Sequence, residues 1–370
     1  MAEDKDIWRR VQEQLDKYSF GFPATESGVE IAILKELFTE QEAALFAEMT
    51  GELETPASVA ARLGRPVEEM AEELERMACK GQLYRVRQGG EVRYSAIPFI
   101  HGLLEFRAPT EPKELINLTG KYIKEKLHRN MAGEGGGGGM RVLPIEEALD
   151  VKHAIASYDD AMAIFANEEL IVVTDCSCRL QRKPFNRACD SPLETCIMVG
   201  PMAEYYLDNK MGRRITLEEA RQILRDSHAA GLVTQTQSVT RPFMICNCCN
   251  CCCGFLGAIR RTPIPAHLVV SNHRCRLDES KCNGCGECLK ACQVAAISLK
   301  DKLAVINYDR CIGCGLCVPR CPEKAMFLEP KPPEQHHTPQ LTLKEQALQG
   351  AEKRFGRKID PKDVVTYGYE

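Results

Sequence analysis

Two copies of one cysteine pattern are the residues in this chain best suited to do chemistry. Each copy has the spacing Cys-x2-Cys-x2-Cys-x3-Cys, with glycines between its first three thiols. Glycine lets such a loop fold tightly and turn its backbone amides toward bound sulfur. This spacing is typical of 4Fe-4S clusters, and we expect the fourth cysteine to begin a short helix and to reach the cluster of the other copy. The copies are Cys282, Cys285, Cys288 and Cys292, then Cys311, Cys314, Cys317 and Cys321.

The segment 274–330 resembles the bacterial dicluster ferredoxin domain, including the Cys-Pro ending at Cys321 and Pro322. The resemblance implies two 4Fe-4S clusters with exchanged fourth ligands. Zinc knuckles are the alternative for Cys-x2-Cys pairs, but zinc has no use for the third and fourth cysteines. Gln293 stands where the family has proline, which frees a backbone N–H near the second cluster. By this resemblance, one cluster is bound by Cys282, Cys285, Cys288 and Cys321, and the other by Cys311, Cys314, Cys317 and Cys292.

Ten further cysteines lie in the middle of the chain, where residues 170–174 and 243–245 predict buried strands. Such a density of thiols predicts metal or cluster ligands brought together by the fold. The simplest site joins Cys176, Cys178, Cys189 and Cys196, the last two of which are predicted to lie in a loop. The tract after the second strand would hold another centre or complete the first. That tract contains Cys246, Cys248, Cys249, Cys251, Cys252 and Cys253.

Two features of these cysteines leave alternatives open. Neighbouring side chains diverge in regular structure, so adjacent cysteines of the tract cannot all reach one metal ion. Some of them are therefore predicted to be spare, shared or redox-active. Asp175 and Arg179 flank the first thiols, and each either tunes the metal site or forms a surface ion pair.

The amino-terminal third contains a single cysteine, Cys79, and its pattern resembles a winged helix. Residues 1–22 predict an amphipathic helix, and residues 23–108 predict helices followed by a hairpin around Gly89 and Gly90. The helix that would enter a DNA groove is acidic, which disfavours binding to phosphates. Arginines on the hairpin keep nucleic-acid contact open as an alternative. The acidic residues are Glu68, Glu69, Glu72, Glu73 and Glu75, and the arginines are Arg85, Arg87 and Arg93.

Two segments read as connections. Residues 109–140 predict a helix and then a glycine-rich linker, whose G-x-G-x-x-G match lacks the preceding strand that dinucleotide binding requires. Residues 331–370 predict a linker, a helix at about 343–355 and a polar tail.

Composition indicates the kind of protein and the cell compartment in which these sites lie. The chain has 370 residues, a formal net charge of −4 and 44% hydrophobic residues, which is ordinary for a soluble protein of several domains. The sequence contains no apolar run long enough to predict a membrane span, and it shows no secretory segment. We therefore expect a cytoplasmic protein. Twenty cysteines then predict reduced thiolates held by metal, in an anaerobic host.

The sequence as a whole predicts an α+β multi-domain protein. It would combine a winged-helix-like domain, a cysteine-rich α/β domain at 141–273 and the ferredoxin-like domain, as in some iron-sulfur proteins of anaerobic bacteria that the chain resembles. We expect the protein to transfer electrons through two 4Fe-4S clusters, to or from a further iron-sulfur or metal centre and a partner oxidoreductase. This role as an electron-transfer component is favoured over that of a stand-alone enzyme. A reductase with an open-coordination metal centre and a redox-responsive winged-helix regulator are the alternatives.

Overall fold

The structure is a computed structural model that describes residues 6–18, 20–108, 111–128, 140–149, 156–340 and 342–369. The glycine-rich linker predicted within 109–140 lies at 133–139, outside the described residues. The chain divides into two compact units. One consists of Met1–Gly136, Glu204–Met211 and Thr342–Glu370, and the other of Gly137–Ala203 and Gly212–Leu341.

The first unit is mainly helical, with one hairpin of strands β1 (Tyr84–Gln88) and β2 (Glu91–Ser95). The sequence predicts helices followed by a hairpin for residues 23–108, and four helices between Val29 and Cys79 do precede this hairpin. Thr55 begins one helix because its hydroxyl accepts a hydrogen bond from the Ser58 amide at 3.2 Å. The α-helices of the unit are Ile7–Asp16, Val29–Leu37, Glu40–Glu48, Pro56–Leu63, Val67–Cys79, Leu104–Arg107, Lys113–Tyr122 and Leu343–Phe355, together with residues 204–208 of the helix Gly200–Asp208.

The end of the chain differs from the polar tail that the sequence predicts. Val364, Val365 and Tyr367 are buried in the first unit. The Tyr367 ring meets Tyr84 edge-on at 5.1 Å, and its hydroxyl donates to the His101 carbonyl at 2.5 Å. The end of the chain is therefore packed and not a polar tail, because its aromatic and β-branched residues are buried against hydrophobic residues of the unit.

A six-stranded sheet organises the second unit. Its spatial order is β3-β7-β8-β5-β4-β6, and every ladder between these strands is antiparallel. The α/β class predicted for the cysteine-rich region is therefore wrong, because that class requires parallel strands joined by crossover helices. The strands are β3 (Met140–Val142), β4 (Ile171–Asp175), β5 (Glu194–Val199), β6 (Arg213–Arg214), β7 (Val233–Gln237) and β8 (Met244–Cys248).

The two faces of this sheet carry different side chains. One face packs Val173, Ile197 and Ile245 against Phe165 and Leu224, which belong to the helices Ala161–Ala166 and Leu217–Ala229. Because side chains alternate along a strand, the residues between these core positions point to the other face. That other face carries Cys196, Cys246 and Cys248. The short helices Ser177–Leu180 and Gly254–Arg260 follow β4 and β8 in sequence.

The ferredoxin-like segment, residues 274–330, lies in the same unit. Strand β9 (His273–Leu277) pairs antiparallel with β12 (Met326–Pro330), and β10 (Ile297–Lys300) pairs antiparallel with β11 (Leu303–Ile306). The helix Glu287–Ala291 ends just before Cys292, so that thiol follows a helix and does not begin one as predicted.

Candidate metal centres

The first ferredoxin-like thiol set lines a small pocket that is partly open to solvent. Three of its thiols come from the first cysteine run and one from the second, in the combination that the resemblance implies. The remaining lining is largely apolar and includes Leu277, Leu299 and Met326. The four cysteines in the lining are Cys282, Cys285, Cys288 and Cys321.

The second set brings Cys292 to the other run. Burial raises the pKa of the Cys314 thiol, and the charges of Cys317, Cys292 and Cys311 raise it further. The charges of Cys317 and Cys292 also act on Cys311, whose pKa is raised mainly by burial. Four thiols this crowded ionise together only when cations compensate their charge. The set is therefore suited to a cluster that supplies iron.

Backbone contacts around the two sets follow one pattern. The Ala296 amide donates to Cys292 Sγ at 3.1 Å, and the Ala325 amide donates to Cys321 Sγ at 3.2 Å. Gly284 and Gly313 both have positive φ. A Cβ added at Gly284 would lie 2.2 Å from the Lys302 carbonyl oxygen, and one added at Gly313 would lie 2.1 Å from the His273 carbonyl oxygen. Only glycine fits such close approaches. The described geometry thus fits a pair of 4Fe-4S clusters.

Cys275 is a further thiol beside the second set that sequence reasoning did not assign. Its buried Sγ lies 3.3 Å from Cys317 Sγ. It belongs to neither cysteine run, so spacing gave no indication of its place. The only sequence signal is its position in strand β9, where His273 and Cys275 alternate with charged Arg274 and Arg276.

In the cysteine-rich region, six thiols form a closed ring in which each thiol has two neighbouring thiols that shift its pKa. Cys196 and Cys246 are directly opposite each other in the β5–β8 ladder, and Cys246 and Cys248 are alternate residues of β8. Cys196 thus lies in a strand, not in the predicted loop. We call this set the thiol ring. In order around it, the members are Cys176, Cys178, Cys253, Cys248, Cys246 and Cys196.

Proton sharing within the thiol ring is uneven. Hydrogen bonds from Cys246 and Cys253 lower the pKa of Cys248 to about 6. The contact with Cys176 and burial instead raise the pKa of Cys178 to about 11. The thiols of the ring therefore differ in how readily they lose a proton, and metal binding must release the protons that they still carry.

Two glutamines on the ring's side of the sheet have unusual surroundings. Gln235 is directly opposite Cys246 in the β7–β8 ladder, so both side chains share one face. Gln235 and Gln237 are both buried, and neither side-chain amide has a hydrogen-bond partner among the described residues. A buried amide without a partner is costly, which indicates that a group outside the protein chain satisfies it.

The remaining four thiols of the region form a separate set, which we call the tetrathiol site. All four sulfurs lie within 4.8 Å of one another. Cys249 and Cys252 are buried against Leu232, whereas Cys251 is exposed. The members are Cys189, Cys249, Cys251 and Cys252.

The structure therefore divides the cysteines differently from the sequence interpretation. Cys189 separates from Cys176, Cys178 and Cys196, with which it was grouped. Strand β8 continues through Cys248 and then gives way to a turn, so the tract is not regular structure throughout. In the turn, the adjacent Cys251 and Cys252 reach the same set. Every one of the ten has sulfur neighbours. That some tract thiols are spare, shared or redox-active stays a prediction.

Arg179 is a buried cation between the two sets and not part of a surface ion pair. Its guanidinium donates to Pro192 O at 3.0 Å, Thr195 Oγ1 at 2.7 Å and Asn247 O at 3.1 Å. Burial lowers its pKa, but the thiolates of Cys176, Cys249 and Cys189 raise it by more. Arg179 thus supplies fixed positive charge to both the thiol ring and the tetrathiol site.

Gln293 joins the ferredoxin-like segment to the cysteine tract. Its side-chain oxygen accepts a hydrogen bond from the Asn250 amide at 3.0 Å, and its carbonyl accepts one from Asn250 Nδ2, also at 3.0 Å. Gln293 follows Cys292, and Asn250 lies between Cys249 and Cys251. The departure from the family's proline therefore provides a direct link between the two regions.

The arginines of the β1–β2 hairpin are occupied by carboxylates. Arg85, whose side chain is 2% exposed, pairs with Glu75 at 2.7 Å and Asp208 at 3.1 Å. Arg87 pairs with the same two residues, and Arg93 pairs with Glu91 at 2.8 Å. Pairing of this kind leaves little free positive charge for phosphates.

Comparison with known proteins supports the ferredoxin-like region alone. Residues 281–325 match the family model of the 4Fe-4S dicluster domain. Neither the search of curated proteins nor that of solved structures found a match. The described helices include none long and apolar enough to cross a membrane. The chain thus carries a 4Fe-4S domain and cysteine-rich sites that support an iron-sulfur electron-transfer role.

Proposed function

We propose that this chain transfers single electrons between a ferredoxin-like pair of 4Fe-4S clusters and a third redox centre held by the thiol ring. The observation that carries the proposal is the ring itself. Three of its thiols lie on one face of the sheet and three lie in the segments that follow β4 and β8, all in the same compact unit as the ferredoxin-like segment. A redox partner protein would supply or accept the electrons. Reduced thiols at this density suit a reducing, oxygen-poor compartment.

The residues of the ferredoxin-like segment are suited to hold and tune two clusters. When bound, each 4Fe-4S cluster takes up and releases one electron. The amides of Ala296 and Ala325 donate to ligand sulfur, and such hydrogen bonds stabilise the reduced state. Buried apolar residues beside the first set, such as Ala325 and Met326, limit access of water.

The thiol ring differs from the tetrathiol site in a way that favours a cluster. Each ring thiol has two neighbours in the ring, but the ring contains no set of three sulfurs within 4.8 Å of one another, although all its residues are described. Thiols spread in this way suit several iron atoms and not one ion, because each thiolate of a cluster binds a different iron. The amide of Gln235 is then a donor available to a sulfide or sulfur of the cluster.

The link between Asn250 and Gln293 supports exchange between the regions. It fixes the tract that contains Cys248 of the ring against Cys292 of the second ferredoxin-like set. Short connections of bonds and hydrogen bonds between centres are what a relay of electrons requires. The first and second thiol sets are also close, since the charge of Cys317 raises the pKa of Cys288, which burial already raises, to about 11.

The test is a stepwise anaerobic reduction of the full chain followed by EPR spectroscopy. We expect three redox centres in the wild type and loss of one of them in Cys246→Ser, with the two ferredoxin-type signals retained. Cys79→Ser is the matched control, because Cys79 is exposed and lies in the other unit. A wild type with two centres, unchanged by Cys246→Ser, would contradict the proposal.

A further inference from the structure

The distances in the tetrathiol site match those around a single metal ion. Cys189 Sγ lies 3.6 Å from Cys249 Sγ and 3.8 Å from Cys252 Sγ, and Cys251 Sγ lies 3.8 Å from Cys252 Sγ. Four thiolates bound at about 2.3 Å in a tetrahedron are about 3.8 Å from one another. The sulfurs therefore already stand where one tetrahedral ion would hold them.

The ferredoxin-like thiols provide an internal comparison. Their eight cysteines are all described, yet no four of them lie within 4.8 Å of one another as those of the tetrathiol site do. A 4Fe-4S cluster spaces its thiolates more widely, because each binds a separate corner of the cluster. The tetrathiol site is thus too compact for the kind of cluster that the ferredoxin-like sets would bind.

We propose that the tetrathiol site binds one divalent metal ion, zinc or ferrous iron, in tetrahedral coordination and without inorganic sulfide. Tetrahedral coordination by four sulfurs is typical of both ions. On binding, each thiol that still carries a proton releases it to solvent, and the metal is neither oxidised nor reduced. This inference goes beyond the proposed electron transfer and does not depend on it.

Charge at the site suits this assignment. One divalent ion with four thiolates carries a charge of about −2. The guanidinium of Arg179, which is fully buried beside these thiols, offsets part of it.

The ion would have a structural task. It would tie the irregular loop that contains Cys189 to the turn of Cys249, Cys251 and Cys252. That turn also contains Asn250, whose two hydrogen bonds to Gln293 link it to the ferredoxin-like segment. Metal binding would therefore hold the link in place, as structural zinc sites hold loops in small domains.

Adjacent cysteines provide a matched test. Cys252 belongs to the tetrathiol site and its neighbour Cys253 to the thiol ring. Full-length Cys252→Ser and Cys253→Ser, purified without oxygen, are analysed for zinc, iron and acid-labile sulfide. Cys252→Ser is expected to lose one metal ion per chain and no sulfide, whereas Cys253→Ser is expected to keep that ion. If the lost ion is zinc, the site binds zinc; if it is iron that is lost without sulfide, the site binds ferrous iron.

A second measurement guards against loss of folding in the variants. Cobalt exchanged into the wild-type chain should give the intense absorption of a tetrahedral tetrathiolate, with one cobalt per chain, and Cys189→Ser should weaken it. Loss of sulfide together with iron in Cys252→Ser, or X-ray absorption showing iron–iron neighbours at the site, would overturn the proposal. Equal metal loss in Cys252→Ser and Cys253→Ser would overturn it as well, by showing one common centre.

Discussion

The ferredoxin-like segment and the cysteine-rich sheet both gather thiols, but they do so by different routes. In the segment, three thiols of each set lie in one short run, and only Cys321 or Cys292 crosses to the other set. In the sheet region, the ring draws on Cys176 and Cys178 just after β4, on β5 and β8, and on Cys253 just before the helix Gly254–Arg260. Local spacing thus fixes the first kind of site, whereas strand register fixes the second.

The two regions also differ in the groups that they place near sulfur. The loops of the segment satisfy ligand sulfur with their own amides, as at Ala296 and Ala325. The sheet cannot do so, because its amides are committed to ladders. It instead places side chains near sulfur, namely the guanidinium of Arg179 and the amide of Gln235.

The largest effect is expected where a set depends on its exchanged ligand. Cys292→Ser should cost the cluster of the second set, about four irons per chain, because the other three ligands are on the opposite run. Iron analysis with EPR spectroscopy checks this, and Cys79→Ser should retain all iron. Loss of the cluster at Cys282, Cys285 and Cys288 instead would show that the two runs do not exchange ligands.

The sequence predicts the two regions to different extents, because local spacing sets the thiols of one and strand register those of the other. The loop glycines and the thiol spacing of the segment are local, so the candidate ligand sets could be written from the resemblance alone. The grouping of Cys189 with Cys196 failed because these residues are close in sequence but on opposite sides of the start of β5. No local pattern reveals that Cys196 faces Cys246, since the ladder joins residues far apart in the chain. Arg179 likewise reads as a surface charge until the fold buries it.

A smaller effect is expected from removing a donor while keeping every ligand. Gln235→Leu should lower the reduction potential of the ring centre without loss of iron, because a lost N–H···S hydrogen bond destabilises the reduced state. A redox titration measures this. Gln222→Leu, at an exposed glutamine that pairs with Asp226, should leave the potential unchanged. If the ring contains iron and the Gln235 variant has the wild-type potential, the amide does not face the centre.

The smallest effect is expected at the link between the two regions. Gln293→Pro restores the family's residue and removes the acceptor for the Asn250 amide, a change of about 0.5–1.5 kcal/mol in stability. We expect slower electron exchange between the ferredoxin-like segment and the ring centre, measured by rapid-freeze EPR after reduction of the segment. Gln293→Glu keeps an oxygen acceptor and serves as control. Unchanged exchange in the proline variant would show that electrons do not depend on this contact.

The most direct test of the two-route account is a full inventory of metal and sulfide in the anaerobically purified chain, with Mössbauer spectroscopy of the iron. Two ferredoxin-type clusters account for about eight irons. The account predicts additional cluster iron from the thiol ring, together with one sulfide-free metal ion from the tetrathiol site. A chain with about eight irons, no other metal and all ten cysteines of the sheet region open to thiol reagents would contradict it.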